Sequence, residues 1–261
     1  MICKKLSCFG AFCLMLILVL TPNLSNARGI SLSNHAAYSF SNDLSVSVSL
    51  RGGAEILFYR FDFSDEIERT YAHPADSATG YTDANLEEGY AGALKLGASG
   101  GFVYKQIMLY GGYDYRFNGA GESYAEELAN YGGESYAYTL VTNGAQTPIP
   151  FWGVKYYLPE FDFGFYFEMG YPTSKFHIET GHYRWDHHDA VRSDTWEGSG
   201  SRYVLGAEGL PWGFETQHFD FITMQQIYIF YEDYDVEFFD EDAQISLWGF
   251  AFTASINAFP Y

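Results

Sequence analysis

The chain has 261 residues, with 14 Lys and Arg against 33 Asp and Glu and a formal net charge of −19 at pH 7. Such a charge repels nucleic acid and favours basic peptides or divalent cations as partners. Aromatic residues make up 20% of the chain, which excludes an acidic disordered protein, since disorder goes with few aromatics.

In chain order, Lys4 and Lys5 lead into the apolar run AFCLMLILVL at 11–20 and the small-residue ending Ser25, Asn26, Ala27. This pattern predicts a secretory signal peptide over 1–27, cut after Ala27. Its apolar run is too short for a spanning helix. Cys3, Cys8 and Cys13 all fall inside it, so the remainder, 28–261, is expected to carry no thiol, disulfide or cysteine-held metal. With Lys4 and Lys5 removed, 12 basic residues would face 33 acidic ones, a net charge of −21. That remainder has the length of one domain.

Past Ala27 the recurring pattern is alternation. In the segment SVSVSL, Val46, Val48 and Leu50 alternate with serines. Tyr90, Leu94 and Leu96 alternate with Ala91, Ala93 and Lys95. Ile107, Leu109, Tyr113 and Tyr115 oppose Gln106, Asp114 and Arg116. In EFDFGFYFEMGY, Phe161, Phe163, Phe165, Phe167 and Met169 oppose Asp162, Gly164, Tyr166, Glu168 and Gly170. Period two is the signature of strands. Eight are expected, at 45–62, 86–98, 102–117, 145–158, 161–185, 201–211, 218–232 and 243–259. Ten are the alternative if 31–40 pairs or if a hairpin lies around ESYAYTLV.

Three features choose the solvent. The polar faces carry both signs of charge (Lys95, Arg116, Lys155, Glu168, Arg202, Glu208), as a filled barrel interior would. The other faces are thick with Phe and Tyr, which suit membrane-interface girdles. Connections alternate between short ones at 99–101, 159–161 and 211–217 and long polar ones near 64–85, 118–145, 186–200 and 232–242. The predicted fold class is therefore all-β: a transmembrane, antiparallel, up-and-down β-barrel in the bacterial outer membrane, embedded in its lipid, with long extracellular loops.

The segment YRWDHHDAVRSDTW, at 183–196, holds the candidate site. Residues two apart on an extended chain share a face, so Asp186 can orient the imidazole of His188 and stabilise its charged form, the arrangement of a general base for water. A solvated loop tip is the plainer reading.

Residues 150–203 resemble the omptins, a family of outer-membrane endopeptidases. The likeness runs from PFWGVKYYL through the turn PEF into DFGFYFEMGY, up to WDHHD and down through SGSRY. It implies that Asp186 and His188 form an Asp-x-His dyad at the barrel mouth, facing a second carboxylate pair. The family carries that pair as Asp-x-Asp; the nearest counterpart here is Asp62 with Asp65, at the start of the first long loop. Omptins have ten strands, so this chain would be a shortened relative. The implied chemistry is water-mediated peptide hydrolysis: His188, held by Asp186, would take a proton from a water that Asp62 and Asp65 position. The acidic rim would draw in peptides rich in Lys and Arg. The family's dependence on lipopolysaccharide rests on basic residues, which are scarce here.

The rival from another class is a non-catalytic barrel, an adhesin or structural protein whose acidic loops bind a partner or cations. The run EDYDVEFFDED at 232–242 has seven acids in eleven residues. It lacks the glycine turn and spacing of an EF-hand, so a solvated acidic loop is expected rather than a Ca²⁺ site. No metal spacing joins the histidines, and no cofactor is expected. A pore is disfavoured because eight strands enclose only a side-chain-filled interior.

Overall fold

The structure is a computed structural model and describes residues 45–62, 88–118, 123–131, 135–143, 146–158, 161–184, 187–215, 219–238 and 241–260. They form eleven strands: β1 (Ser45–Asp62), β2 (Glu88–Tyr104), β3 (Ile107–Asn118), β4 (Ser123–Tyr131), β5 (Ser135–Asn143), β6 (Gln146–Leu158), β7 (Phe163–Gly170), β8 (Thr173–Arg184), β9 (His187–Glu215), β10 (Phe219–Phe238) and β11 (Glu241–Pro260). Three pairs act as single staves. β3 and β4 pair with β6 and β5 respectively, and β6 and β5 in turn pair with β7 and β8, which both pair with β9. Counted this way there are eight staves, each antiparallel to the next.

The ring closes. Ile107 opposes Tyr156, which opposes Phe165, and the ladder continues through Ala207, Ile227, Phe252, Ala54 and Leu94 to Phe117. Phe117 lies ten residues farther along β3 than Ile107, so one circuit staggers the sheet by ten residues. A stagger of that kind tilts the strands, typically by ~35–45° to the barrel axis.

Alternation sorts the side chains as the sequence predicts. Val48, Leu50, Leu96, Leu109, Leu205 and Ile229 face outward and are 53–61% exposed, an apolar exterior that water would penalise and lipid accepts. A row of outward aromatics, Tyr90, Phe58, Trp248, Tyr231 and Tyr203, crosses five adjacent strands in register, with Phe58 and Trp248 stacked at 4.3 Å. The next outward row is Arg60, Ser246, Asp233 and Ser201. One step along the strands thus changes the surface from aromatic to polar, as at a membrane interface.

Inside, all six charged residues expected in the lumen are buried, and Arg51, Glu55, Asp114 and Glu232 join them. The described lumen thus holds five cations and five anions. Arg51 donates to Asp114 from Nε at 2.8 Å and Nη2 at 2.5 Å, and also pairs with Glu168. Arg202 donates to Glu55 at 2.7 Å and pairs with Glu232, to which Arg116 donates at 2.6 Å. Lys155 donates to Glu208 at 2.8 Å. Two apolar clusters flank this network: Val103, Met108, Tyr157, Ile222 and Met224 on the short-turn side, and Leu57, Phe176, Trp196, Tyr234, Val236 and Ile245 on the other. Gly112 and Gly249 make room for rings: a Cβ would lie 2.7 Å from Phe151 at the first and 2.6 Å from Phe230 at the second.

Five expectations about connections are corrected. SGG at 99–101 is not a turn. β2 runs on to Tyr104, and Lys105, at φ 55°, stands in the turn instead. Small residues there serve close packing, since a Cβ on Gly101 would sit 2.6 Å from Tyr110 Cβ. Most of 118–145 is strand, with β4 and β5 extending the third and fourth staves rather than adding a ninth and tenth. The segments 186–200 and 232–242 are largely arms of hairpins, β8–β9 and β10–β11. Their described inner residues, Trp196, Glu232, Tyr234 and Val236, are buried, and the polar residues between them alternate onto the outer face. Finally, β9 continues past Pro211 to Glu215. Leu210 and Pro211 together oppose Met224, between the pairs Gly209↔Gln225 and Trp212↔Thr223, a bulge that accommodates a residue without an N–H. The sequence-predicted strand at 31–40 and the signal segment lie outside the described residues.

Candidate functional site

Chemistry that meets the surroundings has to be sought at the hairpin end. The short turns, the start of β1 at Ser45 and the end of β11 at Pro260 share the opposite end. Above the aromatic row the wall rises unevenly. β10 ends at Phe238 and β11 starts at Glu241, a few residues above it. β8, by contrast, runs from Thr173 to Arg184, about 40 Å of extended chain at ~3.3 Å per residue. The order β9-β8-β5-β4 makes this a four-stranded blade on one side of the mouth.

The strand break at the blade's base has a simple cause. Pro172 has no N–H, so β7 and β8 are separated by Tyr171 and Pro172, which still use the free groups they have. Tyr171 N–H donates to Pro150 O at 2.9 Å, and Pro172 O accepts from Gly200 N–H at 2.9 Å. On the blade's outer face His177 Nδ1 and Thr195 Oγ1 are 3.0 Å apart. A register slip between Thr180 and Gly181, opposite Arg192 and Ala190, leaves Val191 as an extra residue in β9.

Of the four sequence-predicted catalytic residues, Asp65 and Asp186 lie outside the described residues. Asp62 and His188 are placed through their backbone. Asp62 is the last residue of β1 and opposes Gln244, whose row continues through Asp235 to Ser199 on β9. His188 opposes Tyr183 and stands eleven positions beyond Ser199, toward the tip of the β8–β9 hairpin. The described backbone therefore sets Asp62 and His188 on different levels. His182 opposes Asp189.

The acidic run at 232–242 does not act as one patch. Period two sends Glu232, Tyr234 and Val236 into the lumen and leaves Asp233 and Asp235 outside. Glu232 is fully buried, paired with Arg116 and Arg202, and accepts from Tyr234 OH at 2.6 Å. The sequence signal that finds it is the interleaving of acids with Tyr234 and Val236. Among the described residues no group of three or more His, Asp, Glu or Cys side chains is arranged to hold a metal.

No family model matches the chain, and no curated protein does. Solved structures do. Neisserial surface protein A shares 8% identity over 82% of this chain and 99% of its own, with a TM-score of 0.34. Ail, the attachment invasion locus protein of Yersinia pestis, shares 12% over 82% and 99%, with a TM-score of 0.36. The outer membrane protease OmpT from Escherichia coli shares 12% over 85% and 98%, with a TM-score of 0.35.

Proposed function

We propose that the chain is a bacterial outer-membrane surface protein whose hairpin end faces the medium and binds basic protein or peptide partners without cleaving them. The observation that carries this reading is the blade: polar at its described outward residues Thr173, Lys175, His177, Ser193, Thr195 and Glu197, raised well past the aromatic row, and part of a strongly acidic chain. The even number of staves and the short turns at the end shared by the start of β1 and the end of β11 support this orientation, since outer-membrane barrels keep short turns on the periplasmic side. The sealed lumen supports binding at the surface rather than passage through it.

A second reading keeps the endopeptidase. Its specific support is that the backbone of His188 lies near the start of β9, opposite Tyr183 close to the end of β8, with resemblance to omptins in the strands leading to it. In that reading His188, oriented by Asp186, removes a proton from water, hydroxide attacks the peptide carbonyl, and the imidazolium returns the proton to the leaving amine; Asp62, eleven positions lower on the wall, takes no part in holding that water.

The two readings separate in one experiment. Full-length protein refolded into lipid vesicles is mixed with a quenched fluorogenic peptide containing adjacent basic residues. Binding predicts a retained, intact peptide, with the same affinity in wild type and His188→Ala. Cleavage that His188→Ala abolishes would replace the first reading by the second.

A further inference from the structure

Two short turns hold a non-glycine residue at positive φ, and the two residues differ in kind. Asp162, at φ 50°, belongs to the types that tolerate this region, because a short polar side chain can bond the local backbone. Lys105, at φ 55°, does not. With Gln106 it makes a two-residue turn closed by the pair Tyr104↔Ile107, where glycine, asparagine or aspartate is the usual answer to a positive φ. A strained residue that persists points to a use for its side chain.

That side chain lies on the lipid side of the wall. Lys105 is exposed, and its ammonium stands 5.3 Å from the ring centre of Tyr104, an outward residue that is itself half exposed. Its neighbour is drawn to the same face. Gln106 Oε1 accepts from the OH of outward Tyr156 at 2.9 Å, which leaves the amide nitrogen of Gln106 to donate. The backbone is tied to β6 as well, with Tyr157 N–H donating to Gln106 O at 2.8 Å. Two consecutive residues thus present an ammonium and an amide N–H outward, where the apolar wall of Phe102, Ile107 and Leu109 ends.

The ring contact alone does not account for Lys105, because an exposed cation gains little from an aromatic face. Among the residues whose side chains are described at the short-turn end, Lys105 is the only exposed cation; Lys155 is buried and paired with Glu208. The depth at which an apolar, aromatic wall gives way to polar groups is the depth of lipid headgroups. Their phosphates match a neighbouring pair of donors, one of them charged.

We propose that the β2–β3 turn is a headgroup site for an anionic phospholipid in the leaflet at the short-turn end. Lys105 meets the phosphate with its charge and Gln106 donates to a phosphate oxygen, while Tyr104, Ile107 and Tyr156 pack beside the glycerol and the upper acyl chain. The net charge of −19 disfavours anionic lipid elsewhere on the chain, so a retained anionic lipid reports on this turn. The site is independent of the binding and endopeptidase readings, which concern the opposite end of the barrel.

The test uses the full chain refolded into nanodiscs of phosphatidylcholine, with or without phosphatidylglycerol. Native mass spectrometry of the extracted protein should find about fivefold more phosphatidylglycerol on wild type and Lys105→Arg than on Lys105→Gly or Lys105→Gln. Labelling of the Lys105 amine should slow by a similar factor when phosphatidylglycerol is present, and inorganic phosphate in its place should leave the rate unchanged. Urea unfolding separates the strain from the lipid. In phosphatidylcholine alone Lys105→Gly should be at least as stable as wild type, and phosphatidylglycerol should raise the midpoint of wild type more than that of the variant. Equal retention by all four proteins, or midpoints raised equally, would overturn the site. Equal protection of Lys105 by inorganic phosphate would overturn the lipid as its occupant. A wild type more stable than Lys105→Gly without anionic lipid would overturn the claim that the turn holds strain for the sake of that lipid.

Discussion

Glu55 shows how much a single lumen residue organises. It is fully buried on β1, accepts from Arg202 and from Tyr228 OH at 2.7 Å each, and lies 3.7 Å from both Lys95 and Arg116. These partners come from β9, β10, β2 and β3, so one carboxylate ties strands across the barrel. A buried ion pair often breaks even against well-packed apolar side chains, but removing one partner strands the others. Glu55→Ala is therefore expected to cost about 3–5 kcal/mol, read from urea unfolding in lipid vesicles. An unchanged midpoint would mean that water already screens the network. Arg51 extends the same logic through aromatic contacts, its guanidinium lying 3.9 Å from the Phe151 ring centre, where cation and ring attract.

At the scale of elements, the wall was legible because lipid and lumen impose opposite chemistry on alternate residues. Val46, Val48 and Leu50 against Ser47, Ser49 and Arg51 leave no ambiguity of face. The arms were not legible for the converse reason. Polar residues crowd the outward face while Glu232 and Tyr234 interleave with Val236 on the buried one, which weakens the contrast in hydropathy, so the upper parts of β9 and β10 read as loop, whereas Thr173–Arg184 falls within the strand expected at 161–185. Glycine misled at 99–101, where it permits close approach instead of a turn. The chemistry of the dyad segment was legible only as residue types. Its geometry depends on a hairpin length and a bulge at Val191 that no local pattern encodes. The outward face also yields a depth prediction on one strand. Ile227→Arg, well within the apolar band, should destabilise by about 2–4 kcal/mol, whereas Tyr231→Arg at the aromatic row should cost about 0–1 kcal/mol. Equal costs at the two positions would contradict the placement of the interface.

For the whole molecule, eight staves with a ten-residue stagger enclose a space that side chains fill. The lumen's described charges balance, and apolar clusters lie at both of its ends, so no continuous water column is expected. Planar-bilayer recordings should therefore show no single-channel conductance from refolded protein; steady openings would contradict the sealed interior. The proposed surface function belongs to the blade. That assignment requires the aromatic exterior to sit in lipid. Fluorescence quenching by brominated acyl chains tests this most directly, using variants that each retain one of three tryptophans. Trp152 and Trp248 face outward and are 49% and 57% exposed, while Trp196 points into the lumen. The account predicts strong quenching of Trp152 and Trp248 and little of Trp196. Quenching of Trp196 alone, or a refolded protein that stays in water and leaves all three unquenched, would contradict it.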